Sequence, residues 1–478
     1  MTLEFVLDQK DEFSAVLTCT AQENDYQTEV ESTIKNYAKS VQMKGYRPGK
    51  APLPLIKKLY GKSVLMDTVI RKLQDKLTEY LRDNKIQYVG DPIPYSETPN
   101  IDWDNQKDFV FQFKIGTYPD FEISLHNLTT PRYEITVTEE NIQKSIDEIR
   151  QSRGKREPVE TSEKDDSLMG KLRKITTEEN NAEEKPFFMP SKDLKEEFKD
   201  RFVGLQKGSK INIDVKNIAD WFAREEIKNI AHYIVGANTP EELATMEGEY
   251  EFEVETIDRF LLPELNEELY TSTFGEEVTT EEAFKEKITA QITENYERES
   301  KYFFSIQIKQ ELIEKTSLQL PHEFLKEWLY TINEEKVAKE DIEREYDSFA
   351  RETKWSLIRR KLAEQYEIKI ETANVETEAR NMIFEQIQRT GQYNLLGQID
   401  EFVQNYLYKQ ENTSNFQQIY SRLQETQVSD KLYESSEKPK TTITVADFET
   451  LVEKTVKEIR EFEKSLIKED NVATIEEQ

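Results

Sequence analysis

The stretch MKGYRPGKAPLPLIKKLYGKSVLMDTVI, residues 43 to 70, decides how the rest of the chain is read. Gly45, Pro48, Gly49 and Pro52 break any helix arriving from the N-terminal side, because proline lacks the amide donor and glycine frees the backbone. Beyond them PLIKKLYG and SVLMDTVIRKLQDKLTEYLRDN return to helical spacing, so the break is the tip of a helix–loop–helix. Its charge is as unusual as its backbone. Between Glu31 and Asp67 there is no acid, while Lys35, Lys39, Lys44, Arg47, Lys50, Lys57, Lys58 and Lys62 supply a local charge of +8. The 478-residue chain as a whole carries −30. Screening over roughly 8 Å lets such a patch act independently of the acidic bulk, which on its own would repel nucleic acid and anionic membrane.

Working outward, LEFVLD (residues 3 to 8) and FSAVLTCT (13 to 20) read as strands, followed by a helix over about 24 to 42 with Val30, Ile34, Tyr37 and Val41 on one stripe. Proline and glycine punctuation runs from 86 to 130, with one strand predicted at DFVFQFKIG. Residues 1 to 115 thus form an α+β unit, and 116 to 157 a connector ending in a helix over 139 to 153. Short β-type runs, KINIDV and EYEFEVETI, mark 158 to 260 as a β-rich domain. From 261 to 478 the pattern is helical, with Thr279 and Glu282 spaced as a capping box. The fold class expected is a multidomain α+β protein: an α+β domain, an inserted β-rich domain and an elongated all-helical C-terminal body.

Several chemistries are excluded. Gly61-Lys62-Ser63 resembles the end of a phosphate-binding loop, but Ile56 stands where that loop needs its first glycine. His126, His232 and His322 are isolated and Cys19 is the only cysteine, so neither a metal site nor a disulfide is expected, and no cofactor. The alternation of Ala15, Leu17, Cys19 and Ala21 places that thiol on a buried strand face. The start MTLEFVLDQKDEF has no basic, apolar leader, and no apolar run approaches the roughly 20 residues of a membrane span. A cytoplasmic protein without a membrane partner is the expectation.

At the tip, Gly45 and Gly49 permit close backbone approach, Tyr46 offers a stacking face, Arg47 can fork onto a phosphate or carboxylate, and Lys44 and Lys50 add point charge. Structured RNA, or an acidic protein patch beside it, would fit. Here the sequence resembles the trigger factor family of ribosome-associated chaperones, whose signature Gly-Phe-Arg-x-Gly-Lys-x-Pro is matched by GYRPGKAP at 45 to 52, with Tyr46 for Phe. The match departs at Pro48, where a basic residue is common, which shifts weight onto Lys44 and Lys50. The resemblance implies a ribosome-binding loop of Lys44, Gly45, Tyr46, Arg47, Gly49 and Lys50 docking on the large subunit, protein and rRNA, beside the exit tunnel.

It also implies that 158 to 260 is an FKBP-like peptidyl-prolyl isomerase domain, degenerate because FMPSKD keeps Phe188, Met189 and Pro190 but not the Gly-Phe-Glu that follows in the family. Phe188, Met189, Phe202, Trp221 and Phe222 are the candidate pocket residues, and no catalytic nucleophile is needed. The helical body, 261 to 478, would be the chaperone body with arms that shields unfolded nascent chains, and its 24 Phe and 22 Tyr chain-wide allow either a client surface or a closed bundle. Phe303, Phe304, Trp328, Tyr330 and Trp355 fit helix-packing core. A homodimer of the free protein is compatible with the sequence, though nothing in it requires one. The competing reading is an RNA-associated helical scaffold without chaperone activity.

Overall fold

A computed structural model describes residues 3–43, 46–47, 49–95, 101–175, 184–333, 336–409 and 413–467. The chain divides into two compact units, residues 1–135 with 297–478, and residues 136–296. The stretch expected as a connector, 116 to 157, is thereby shared between the two at residue 135.

The first unit begins with strands β1 (Glu4–Gln9) and β2 (Ser14–Ala21), helices α1 (Glu23–Ser40) and α2 (Leu53–Asp83), and strands β3 (Tyr88–Pro94) and β4 (Phe109–Thr117). The sheet runs β1-β2-β4-β3, with Leu17 opposite both Leu7 and Phe113. Central β2 earns its place by burying Ala15, Leu17, Cys19 and Ala21. β3 was hidden by Pro92 and Pro94. As an edge strand it needs hydrogen bonds on one side only, and its pairing with β4 breaks register between Val89 and Ile93 to absorb them.

Helix α1 starts at a capping box of Gln22 and Asp25. The two helices expected after the tip are one: α2 runs 31 residues straight through Gly61. A glycine in a helix interior costs about 1 kcal/mol relative to alanine, and burial of Ile56, Val64, Val69, Leu73, Leu77 and Leu81 along one stripe outweighs it.

The helical part of this unit gathers around Phe304, Ile308 and Leu312 of helix Glu281–Lys315, Phe324 of helix His322–Ile332, Trp355 and Ile358 of helix Lys339–Gln365, and Leu432 of helix Thr413–Ser435. Ile93, Tyr118 and Phe121 join the same core, so the sheet and the helices share one interior. Gly116 of β4 is required by it: a Cβ there would lie 2.2 Å from the Phe324 ring. A smaller cluster, Val375, Ala379, Val403, Leu407 and Ile419, closes two further helices, Thr372–Thr390 and Ile399–Tyr408, on helix Thr413–Ser435. The region is not wholly helical, because Thr441–Thr444 forms a short strand, tied by the Thr441 amide to the Arg132 carbonyl at 2.7 Å.

The second unit carries helix α3 (Glu139–Arg153), capped by Thr138 and Asn141, which packs Ile142 and Ile146 on Leu269, Tyr270, Phe284 and Ile288. Its five-stranded sheet is built on the 13-residue strand Glu249–Leu261, flanked by Ser167–Lys174 on one side and by Lys155–Pro158 and Lys210–Asp214 on the other, with Glu184–Pro190 beyond. The cap of helix Glu281–Lys315 is Thr280, whose hydroxyl accepts from the Ala283 amide at 3.2 Å, one residue later than the expected Thr279.

Candidate functional site

The basic tip is built from its root. Val41 and Met43 leave the end of α1 and Ala51 leads into α2, and all three pack partly buried on the Ile34, Ala38, Ile56 and Val64 cluster. Between these anchors the backbone turns twice. The Tyr46 amide donates to the Met43 carbonyl at 3.1 Å, and the Lys50 amide to the Arg47 carbonyl at 2.9 Å. In the second turn Gly49 has φ +74°, a conformation that disfavours side chains. A Cβ on it would also stand 2.9 Å from the Lys39 carbonyl oxygen, so the turn folds back onto the last residues of α1. Glycine is demanded twice at this position.

The outcome is a short, rooted loop that lifts its chemistry into solvent. Tyr46 is 44% exposed, and Arg47 and Lys50 are exposed. Of the expected loop residues, Lys44 and Gly45 lie outside the described residues. Lys62 is paired with Asp104 at 2.6 Å. Lys35, Lys39, Arg47, Lys50, Lys57 and Lys58 have no acidic partner among the described residues. A guanidinium left free in this way can still take a bidentate anion from a partner. An internal carboxylate would have cancelled it.

Of the five residues expected to line an isomerase pocket, four gather in one core and the fifth lies on the opposite face of its strand. Met189, Phe202, Trp221 and Phe222 are at most 5% exposed and belong to the domain core. Phe188 is separated from them by strand alternation. Phe187 points inward, its ring 4.5 Å from that of Phe252, so Phe188 takes the other face, opposite Met169, which is 48% exposed. Adjacent residues of a strand cannot share one pocket, and that spacing was readable in PFFMP. Trp221 is itself covered: Phe198, which the sequence reading passed over, stacks on it at 5.2 Å, and the Arg201 guanidinium lies 4.8 Å from its ring centre.

In the helical part Phe303, Phe304 and Trp355 are buried, Trp328 and Tyr330 half-buried, as helix-packing residues should be. The aromatic and apolar groups left in solvent are others, among them Tyr302, Ile332, Phe384, Tyr393, Tyr408 and Phe462. Nothing in their spacing marked them, since exposure depends on which helices meet. Among the described residues no cluster of three metal-binding side chains occurs, and no helix is long and apolar enough to cross a membrane.

Three family models match the chain in succession: "Bacterial trigger factor protein" over residues 3–149, "Probable trigger factor, FKBP-like domain" over 156–261, and "Probable trigger factor, C-terminal domain" over 300–452. A curated trigger factor from Hahella chejuensis is 24% identical over 294 residues, covering 60% of this chain and 60% of that protein. Another from Aliivibrio fischeri is 22% identical over 347 residues, covering 70% and 74%. The match thus spans about 60% of the length of the first of these relatives. A solved structure described as "Promiscuous Substrate Recognition in Folding and Assembly Activities of the Trigger Factor Chaperone" aligns with 91% of this chain and 100% of its own, at 18% identity and a TM-score of 0.47. With its N-terminal, FKBP-like and C-terminal parts matched in the order in which they follow along the sequence, this protein belongs to the trigger factor family.

Proposed function

We propose that the protein is a ribosome-associated chaperone that docks through the tip of residues 43 to 52 and shields unfolded polypeptides as they emerge. The observation that carries this reading is the state of Arg47: exposed, set beside a turn whose Gly49 has a φ of +74°, and without an acidic partner among the described residues. Its surroundings are cationic from residue 32 to residue 66, inside a chain of net charge −30, so the protein presents one face to an anionic partner and repels it elsewhere. The partner that fits is the large ribosomal subunit, rRNA and acidic protein together, beside the exit tunnel. Lys44 and Gly45, with Tyr46, Gly49 and Lys50, complete the loop in this assignment.

The shielding role rests on the separated apolar groups in solvent, Tyr302, Phe384, Tyr393 and Phe462 among them, set on a charged helical surface. Scattered contacts of that kind hold an unfolded chain weakly enough to release it. A cytoplasmic setting and a homodimer of the ribosome-free protein belong to the same reading. For the FKBP-like domain the filled core around Trp221 favours weak isomerase activity at most.

The test is co-sedimentation with ribosomes at physiological salt, paired with an aggregation assay on a chemically unfolded client. Arg47→Ala with Lys50→Ala is expected to lower ribosome binding by about 10-fold or more, a loss of two charge-assisted contacts, while leaving suppression of aggregation intact. Unchanged co-sedimentation removes the docking role, and a client that aggregates as fast with the protein as without it removes the shielding role. Binding that saturates at one copy per large subunit separates this reading from an RNA-associated scaffold.

A further inference from the structure

We propose that the groove between α1 and α2 is a docking site for an acidic amphipathic helix of a partner protein, distinct from the loop that the docking assignment uses. The groove has a volume of about 740 Å³ and is lined by α1, by α2 and by the segment around Trp103. Its floor is apolar: Val30 from α1, with Leu53 and Leu65 from α2, and Leu53 is 47% exposed. Trp103, half-buried with its ring 4.5 Å from that of Phe109, adds an aromatic surface to the lining.

The two walls carry charge of one sign. Lys35 stands on the α1 wall, and Lys57 and Lys58 on the α2 wall; all three are exposed and none has an acidic partner among the described residues. The other two lysines at the groove are already neutralised, Lys62 by Asp104 at 2.6 Å and Lys107 by Glu23 at 2.9 Å. Glu31 is the one acid of the lining outside those pairs. An apolar floor between two lysine-bearing walls is complementary to a helix that places leucine-type side chains at i, i+3, i+4 and i+7 and carboxylates on both flanks. A nucleic acid would engage the lysines through phosphate and leave Val30, Leu53 and Leu65 against water, so the floor favours protein.

Gly61 supports the same reading. It lies inside α2, at the groove, where alanine would make the better helix. An added Cβ would meet only Lys57 Cγ at 3.4 Å, so the fold does not exclude a side chain there. What a side chain would take is groove space.

The experiment uses the full chain and a fluorescein-labelled acidic peptide of about 14 residues, four turns of helix, with leucine at i, i+3, i+4 and i+7 and glutamate at most other positions. Saturable binding is expected by fluorescence anisotropy. Gly61→Leu, with thermal unfolding unchanged or raised, should weaken it at least about 10-fold by filling the floor, as should Lys57→Glu with Lys58→Glu by reversing one wall. Arg47→Ala with Lys50→Ala should leave it unchanged, which keeps this result separate from the fate of the docking reading. The proposal is overturned if the parent protein does not bind the peptide, or if a scrambled peptide of the same composition binds equally well. It is also overturned if both groove variants bind as the parent does, or if a uridylate oligomer takes the groove in preference to the peptide.

Discussion

Glu311 is a buried residue whose charge is tightly held. It is 9% exposed, and its carboxylate accepts from the Thr129 and Thr130 amides, from both threonine hydroxyls, and from Lys315 at 2.7 Å. Burial pushes the carboxyl up, yet the hydrogen bonds from Lys315, Thr129 and Thr130 together outweigh it and hold the group at about 2, below its ordinary 4.5. A depressed carboxyl favours the folded state above its unfolded value and ceases to do so as pH falls through the folded one. Glu311→Gln is therefore expected to destabilise the first unit by on the order of 2 kcal/mol at neutral pH. The difference from the parent, read from denaturant midpoints, should shrink steadily below pH 4.5; a difference independent of pH from 7 to 3 would mean the carboxylate is not ionised there. Cys19 is the opposite case, its thiol pushed up to about 12, first by burial and then by the nearby Asp25 charge, which makes it structural rather than reactive.

At the scale of elements, the tip is a turn whose geometry its sequence dictates and whose position two helices fix. Gly49→Ala tests that dependence. A methyl group would face both a positive φ and a carbonyl oxygen at 2.9 Å, so the turn should open by a local cost of about 1–2 kcal/mol. Ribosome binding is expected to fall several-fold while the thermal transition of the whole protein barely moves, because the loop contributes little to the core. Equal binding by this variant would show that the turn conformation is not what the partner reads. Elsewhere the element boundaries followed burial rather than local signals: α2 continues past Gly61 because its apolar stripe does, and β3 tolerates two prolines because it lies at an edge.

Across the whole molecule a chain of net charge −30 carries one cationic stretch, from residue 32 to residue 66, and in the FKBP-like domain the residues Met189, Phe202, Trp221 and Phe222 are buried in one core. Prolyl isomerisation needs an apolar cavity that admits and desolvates the bond, and Trp221 is instead covered by Phe198 and Arg201. The full chain is thus expected to leave a proline-limited refolding phase, with its time of tens to hundreds of seconds, unaccelerated; a catalysed rate would mean that the covering segment moves aside. The succession of an α+β part, a β-rich part and a helical part, and the buried thiol, were legible in the sequence, because periodicity and charge are local properties of a chain, whereas β3 and the strand Thr441–Thr444 were not. The inward choice of Phe187 over Phe188, the solvent-facing ring of Tyr302, the ionised Glu311 beside Thr129 and the groove between α1 and α2 were decided only by tertiary structure. Each depends on a partner distant in sequence, and no local pattern records which surface a side chain will meet.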